Sequence, residues 1–429
     1  MDITLIPSKL NGTIQAQLNV TNSLLHAVCQ ALALHQVRIG AASPAGANAS
    51  LAADFIHRKD LWSEDTEAII SCFRVLSNDA PTLHVGNNSR AFCMMLPIAA
   101  AAKHKVSFTG TTEFPTSLIL PMVEVLKRRD VRFSRGSLKF KRKERDKLLE
   151  ICTLSGQAEY GGFSLTGRED PYFLTGLLLG LPLLPGNSSV RMTTMPDSME
   201  MPEMAVAVMR QYGITVMDSV DDYGYPYFEI PGNQHYRIPD DFSIEGDWAR
   251  ASFWLGCGAL GGNVTVRGLS GDSSQTARQI LDKLRSLGAA TGLGADSAGV
   301  VSGSLQGCNI NASRIPGLIP ILAVLMANAS GTSMLTGINC DDHMPVFRVL
   351  DAFGADISNG GSGFSFTGTP ILTGGEIDAG GDPVIVMVAT AASCFSRMPV
   401  TIRGAGVINK LYPGFFDEYA ALGGQIEGR

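Results

Sequence analysis

The sequence contains no stretch of about 18 uninterrupted apolar residues, so no membrane-spanning helix is expected. Its opening, MDITLIPSKLNG, has none of the charged-then-apolar pattern of a secretory signal. The eight cysteines (29, 72, 93, 152, 257, 308, 340 and 394) include no CxxC pair, and most lie inside apolar runs such as SCFRVL and FWLGCGAL. They read as reduced core thiols of a cytoplasmic protein, not as a disulfide or zinc framework. No phosphate-cradling P-loop, dinucleotide fingerprint or Ser-His-Asp signature is present. Asp341-Asp342-His343 is the one run with metal-ligand chemistry, and adjacent residues on one loop rarely supply three ligands, so no metal is expected. Strong charge is also missing: Lys+Arg number 34 against Asp+Glu 40, a net charge of −6 that argues against a general nucleic-acid binder.

What the chain does have is length and apolar content. Its 429 residues, 45% hydrophobic, suffice for two domains with real cores, and its 47 glycines against only 7% aromatics favour many short elements. One segment departs from the average charge. Residues 127–147 hold eleven Lys/Arg and three acids, leaving the remainder of the chain at −14. That segment reads either as a solvated basic hairpin or as an anion or nucleic-acid contact.

A repeat runs along the chain. Amphipathic helices followed by a polar or glycine turn and a strand recur as MVEVLKRRDVRF (122–133), MAVAVMRQYGITV (204–216), ILDKLRSLGAATG (280–292), VFRVLDAFGADIS (346–358) and FFDEYAALGGQIEG (415–428), with AIISCFRVLSNDA (68–80) as a weaker sixth. Apolar residues three and four apart give each one buried face, and the glycine supplies a left-handed exit. Between them lie helices rich in small apolar residues, among them SLLHAVCQALAL (23–34), FCMMLPIAAAA (92–102), YFLTGLLLGLPLL (172–184) and LIPILAVLMANA (318–329). Apolar on every face, these must be buried on every side. An α/β architecture of six units, with the apolar helices packed together inside and the sheets outside, satisfies both helix types.

This arrangement, together with GNNSRAF after a strand, FSIEGDWARASFWL (242–255) and NKLYPGFF (409–416), resembles the 5-enolpyruvylshikimate-3-phosphate synthase (3-phosphoshikimate 1-carboxyvinyltransferase) family of enolpyruvyl transferases. The resemblance implies a two-domain, inside-out α/β barrel fold of six βαβαββ units, three per domain. It puts crossovers near 13–18 and 236–242, giving a discontinuous domain of residues 1–15 plus 239–429 and a second of residues 16–238. It also implies transfer of a carboxyvinyl group from phosphoenolpyruvate to shikimate 3-phosphate in an interdomain cleft, a step of the shikimate pathway to aromatic amino acids. No cofactor is implied.

Two phosphates and two carboxylates bring about six negative charges, so such a site needs fixed cations. Carrying the family motifs onto this chain residue by residue finds few. In the segment opening the first helix (16–26), the family lysine falls on Leu18 or Val20 and the arginine on Ser23 or Leu25, while Thr21, Asn22 and Ser23 remain either as a helix cap or as anion contacts. In Asn87-Asn88-Ser89-Arg90-Ala91-Phe92-Cys93 the family arginine position holds Cys93, with Arg90 one turn earlier. The two arginines that grip phosphoenolpyruvate fall on Glu113 and Ser117. The phosphate-binding Ser-Ser-Gln becomes Asp170-Pro171-Tyr172, and of the following segment only Ser198 is kept. The aspartate base falls on Gly317. Asn339 is retained, but His343 and Met344 replace the catalytic Lys-Glu pair. Asp382 is retained without its arginine, and Lys410 matches the last family lysine.

The catalytic residues are therefore not identifiable from the family pattern, and the substrate-binding candidates are Thr21, Asn22, Ser23, Asn87, Arg90, Ser198, Asn339, Asp382 and Lys410. Three readings stay open: a weakened enolpyruvyl transferase, a non-catalytic paralogue acting as a binding or regulatory module, and an enzyme with a less anionic substrate that uses Arg90, Asp170, Asp341, Asp342, His343 and Lys410 in new roles. The expected partner is a small anionic metabolite in the cleft, with neither nucleic acid nor membrane; a monomer is compatible with the sequence, which does not fix the oligomeric state.

Overall fold

A computed structural model describes residues 1–38, 63–135, 149–196, 198–240, 244–361 and 363–427. Most of the basic run at 127–147 lies outside the described residues. Contacts divide the chain into two units, Met1–Asn19 with Glu245–Arg429, and Val20–Ile244. The divisions fall a few residues beyond the expected crossovers because the two linking segments pair with each other. Leu18 bridges Gly246 in antiparallel fashion, Asn19 N–H donates to the Glu245 carbonyl at 2.9 Å, and Asp247 N–H donates to the Gln17 carbonyl at 2.8 Å. Gly246 is required there, since a Cβ would come within 2.5 Å of the Gly268 oxygen.

The discontinuous unit contains three four-stranded sheets. Its plainest repeat runs strand Asn309–Asn311, helix Ile319–Asn328, strand Thr332–Thr336, helix Cys340–Ala352, then strands Asp356–Asn359 and Gly363–Thr367, which is a βαβαββ unit. The first two strands pair in parallel and the rest antiparallel. The N-terminal strands Ile3–Ile6 and Asn11–Gln15 complete the other two sheets by pairing with Val400–Arg403 and Asn263–Arg267, which places the first residues of the chain with its last. Alternation sets the faces: in Asn263–Arg267, Val264 and Val266 are fully buried between polar neighbours, each worth about 1.5–3 kcal/mol of transfer. Helices Trp248–Ala259, Ile319–Asn328 and Pro383–Ser393 form the interior. They approach closely where a residue lacks a side chain; a Cβ on Gly256 would lie 2.2 Å from Ile321 Cγ1.

The Val20–Ile244 unit repeats this plan. Two βαβαββ units have all their helices and strands among the described residues, with sheets built on Thr82–Gly86 and Gly162–Leu165, and helices Val20–Arg38 and Glu64–Leu76 belong to a third. Residues 39–62 of that third unit lie outside the described residues. The interior helices Ser89–Ala102 and Pro171–Gly180 meet at Gly176, where a Cβ would stand 2.3 Å from the Met94 carbonyl oxygen. Each unit thus has the α/β architecture the sequence predicts, βαβαββ repeats with apolar helices in its interior.

Candidate functional site

In the Val20–Ile244 unit, the sequence candidates converge at the start of helix Ser89–Ala102. Strand Thr82–Gly86 ends at Gly86 with φ of 61°, a left-handed turn that only glycine adopts without strain. Asn88 then caps the helix, its Oδ1 accepting from Ala91 N–H at 2.8 Å. The other end of the same amide donates to Asp65 Oδ1 at 2.8 Å. Arg90 Nη1 donates to Asp65 Oδ2 at 3.3 Å, and the Tyr172 hydroxyl donates to that same oxygen at 3.2 Å. The Arg90 guanidinium lies 5.7 Å from the centroid of the Tyr172 ring. Tyr172 is held in turn by its N–H, which donates at 2.8 Å to Asp170, the cap of helix Pro171–Gly180.

The electrostatics of this cluster are closed. Burial and then the Asp65 charge push the Tyr172 hydroxyl up to about 12, so it stays a proton donor at neutral pH. Tyr172, Asp65 and Asp170 together hold the Arg90 guanidinium even more firmly protonated than usual. One cation thus faces two carboxylates. Sequence reasoning singled out Arg90 and Asp170 and missed Asp65. The only signal for Asp65 was its place in SEDTEA, where acids in a first turn already have a reason in the helix dipole.

The other candidates of this unit are scattered. Asn87 and Ser198 are exposed, as are Glu113 and Ser117 at the family arginine positions. Thr21 is half-buried, and Asn22 and Ser23 are buried in the first turn of helix Val20–Arg38. Cys93 is fully buried, and desolvation raises its thiol far above the ordinary range, which makes it a core residue and not a nucleophile.

In the discontinuous unit, Gly317 is exposed and a Cβ there would meet nothing within 4 Å. Asn339 precedes helix Cys340–Ala352, and its Nδ2 donates to Asp342 Oδ2 at 2.9 Å. His343 is half-buried, and burial lowers its pKa against the opposing pull of Asp342, so the imidazole is neutral at pH 7. Met344 packs on the core. Asp382 caps helix Pro383–Ser393, accepting from Val384 N–H at 2.8 Å. Lys410 ends the short helix Ala405–Lys410, and its side chain lies outside the described residues.

The motif patches FSIEGDWARASFWL and NKLYPGFF meet in a network that accounts for both. Arg250 donates to the Gln17 side chain and, at 2.9 Å, to the Leu411 carbonyl, and it lies 4.9 Å over the Tyr412 ring. Glu418 accepts from Trp254 Nε1 and Gln17 Nε2, each at 2.7–2.8 Å, and from the Tyr412 hydroxyl. Gln275 Oε1 accepts from Asn19 and from Trp248 N–H, both at 2.9 Å. These bonds tie the ends of the chain together and leave Arg250 fully committed to structure.

Among the described residues no group of three or more His, Cys, Asp or Glu could hold a metal ion, and no helix is long and apolar enough to cross a membrane.

Comparison with known proteins gives a consistent result. The family model described as EPSP synthase (3-phosphoshikimate 1-carboxyvinyltransferase) matches residues 6–419. A 3-phosphoshikimate 1-carboxyvinyltransferase from Clostridium kluyveri is 28% identical over 353 residues, covering 81% of this chain and 79% of the relative. One from Clostridioides difficile is 23% identical, covering 99% and 98%. Among solved structures, an EPSP synthase from Acinetobacter baumannii superimposes with a TM-score of 0.75 at 16% identity over 100% of both chains. The enolpyruvyl transferase NikO from Streptomyces tendae does so with a TM-score of 0.64 at 15% identity, over 99% and 98%.

Proposed function

The chain belongs to the EPSP synthase family, and from that premise we propose that it keeps the family scaffold as a binding module and no longer transfers a carboxyvinyl group from phosphoenolpyruvate to shikimate 3-phosphate. The ligand that suits it is a small metabolite with less negative charge than that pair. The observation that carries this reading is the Asp65–Arg90 pair. Arg90, the cation beside the family motif in this unit, is already matched to a carboxylate at 3.3 Å. An anion taking the position where these donors converge would have to displace Asp65 and face Asp170, and like charges about 4 Å apart cost about 4 kcal/mol at an effective dielectric of 20.

The proton-transfer groups support the same reading. A general base needs a side chain within hydrogen-bond reach of its proton, and the family base position holds exposed Gly317. The lysine and glutamate positions hold a neutral His343 and the thioether of Met344. A cytoplasmic location is part of the proposal, supported by eight free thiols, six of them buried.

The test is phosphate release with saturating shikimate 3-phosphate and phosphoenolpyruvate, at high protein concentration and beside an active synthase. No release above background is expected. Turnover that disappears in Lys410→Ala would overturn the proposal. It would favour the second reading, retained carboxyvinyl transfer in the shikimate pathway, which the names of the Clostridium and Clostridioides relatives support.

A further inference from the structure

We infer that Asp65 is a built-in occupant of an anion position: its carboxylate fills the place where Asn88, Arg90 and Tyr172 would otherwise grip a carboxylate or phosphate ligand, and it thereby sets the ligand class this unit accepts. The inference rests on the proposed loss of the family anion site and names the residue responsible in this unit.

The donor set is the argument. An amide, a guanidinium and a phenol all donate to one carboxylate, at 2.8, 3.3 and 3.2 Å. Charge-assisted donors converging from separate segments are the composition of an anion-binding site. Here the donors come from the starts of two helices, Ser89–Ala102 and Pro171–Gly180, and the acceptor comes from the first turn of a third, Glu64–Leu76. Exposure is unequal in the direction the idea requires. The Arg90 side chain is 62% exposed and Asp65 only 20%, so the carboxylate is on the inner side of a guanidinium whose outer face is open. Asp170 spends Oδ1 on the Tyr172 backbone N–H as the cap of its helix, and it acts on Arg90 only through its charge.

Removing the carboxylate while keeping its donors should therefore create affinity for a small anion. The carboxylate of free acetate can enter the space left in Asp65→Ala, and inorganic phosphate serves as the larger probe. Thermal melting of the full chain is followed as each anion is titrated at constant ionic strength, with chloride as control. Asp65→Ala is expected to melt below wild type and to recover by about 3 °C or more with acetate or phosphate. Wild type and the double variant Asp65→Ala/Arg90→Gln should respond no more than to chloride. If Asp65→Ala does not fold, Asp65→Ser, which is still smaller than aspartate and suits a first helical turn, is titrated in its place and should gain the same response. A folded Asp65 variant with no anion-specific response overturns the inference, and so does a wild-type response equal to the variant's. Neither result depends on turnover, so failure here is separable from failure of the proposed function.

Discussion

Trp254 Nε1 donates to Glu418 Oε2 at 2.7 Å, joining an interior helix to the helix Phe415–Ala421 near the end of the chain. Glu418 also receives Gln17 and Tyr412, so one half-buried carboxylate gathers three donors from three segments. Its removal leaves the Tyr412 hydroxyl without its acceptor and weakens the hold on the other two, although Trp254 Nε1 keeps the Tyr412 oxygen at 2.7 Å and Gln17 Nε2 keeps the Pro413 carbonyl at 2.8 Å. Glu418→Ala should destabilise the discontinuous unit by about 2 kcal/mol, and Trp254→Phe, which removes a single donor, by about 1 kcal/mol. Urea unfolding followed by tryptophan fluorescence of Glu418→Ala and by circular dichroism of both variants checks the order; equal effects would contradict it.

Gly176 marks the closest approach of two interior helices in the other unit. Because an alanine Cβ would stand 2.3 Å from the Met94 carbonyl oxygen, backbone must move to admit it. Gly176→Ala should cost about 3 kcal/mol, even though alanine is the better helix former. A melting point at or above that of the parent would contradict this packing.

Gly317 is the opposite case, a glycine with open space around its missing side chain. Gly317→Asp, which restores the family base, should alter stability by less than about 0.5 kcal/mol. It should also restore no turnover, because a base without cations to hold its substrates has nothing to act on. Phosphate release by this single variant would show that the missing base alone had silenced the site.

Acid should weaken the Val20–Ile244 unit through His26. Burial lowers its pKa from 6.5 to about 4, and its Nδ1 lies 3.2 Å from the Tyr212 hydroxyl. A histidine depressed in the folded state contributes stability that is complete above pH 6.5 and is lost as pH falls toward 4. The unfolded chain takes up the proton first. The loss should approach about 3 kcal/mol across that window, and His26→Gln should flatten it. A pH profile unchanged by His26→Gln would contradict this account.

Much of the architecture was legible because two helix types differ in composition. VLMANA-like and AAAA-like runs can only be interior, and Gly213, Gly288, Gly354 and Gly423 do take positive φ values after their helices. In the last copy, FFDEYAALGGQIEG, the left-handed position is the first glycine of the pair, Gly423, whereas a Cβ on Gly424 would collide with the Tyr419 ring. Boundaries were less legible, because the pairing of Leu18 with Gly246 depends on residues distant in sequence. The same is true of the candidate site. Arg90 is recognisable beside its motif, yet its charge is decided by Asp65, and nothing in SEDTEA reveals that partner. Asn339 and Asp382 match family positions, but the first bonds to the Asp342 side chain and the second caps its own helix, local uses that motif comparison does not distinguish from ligand binding.

A chain that has lost the family's anion site should no longer hold the family's phosphorylated substrate. Isothermal titration of shikimate 3-phosphate into the full protein, with phosphoenolpyruvate present, tests that directly. No saturable heat up to millimolar ligand is the expected result, whereas binding in the micromolar range would mean that cations reach the site from elsewhere in the chain and that Asp65 does not exclude anions.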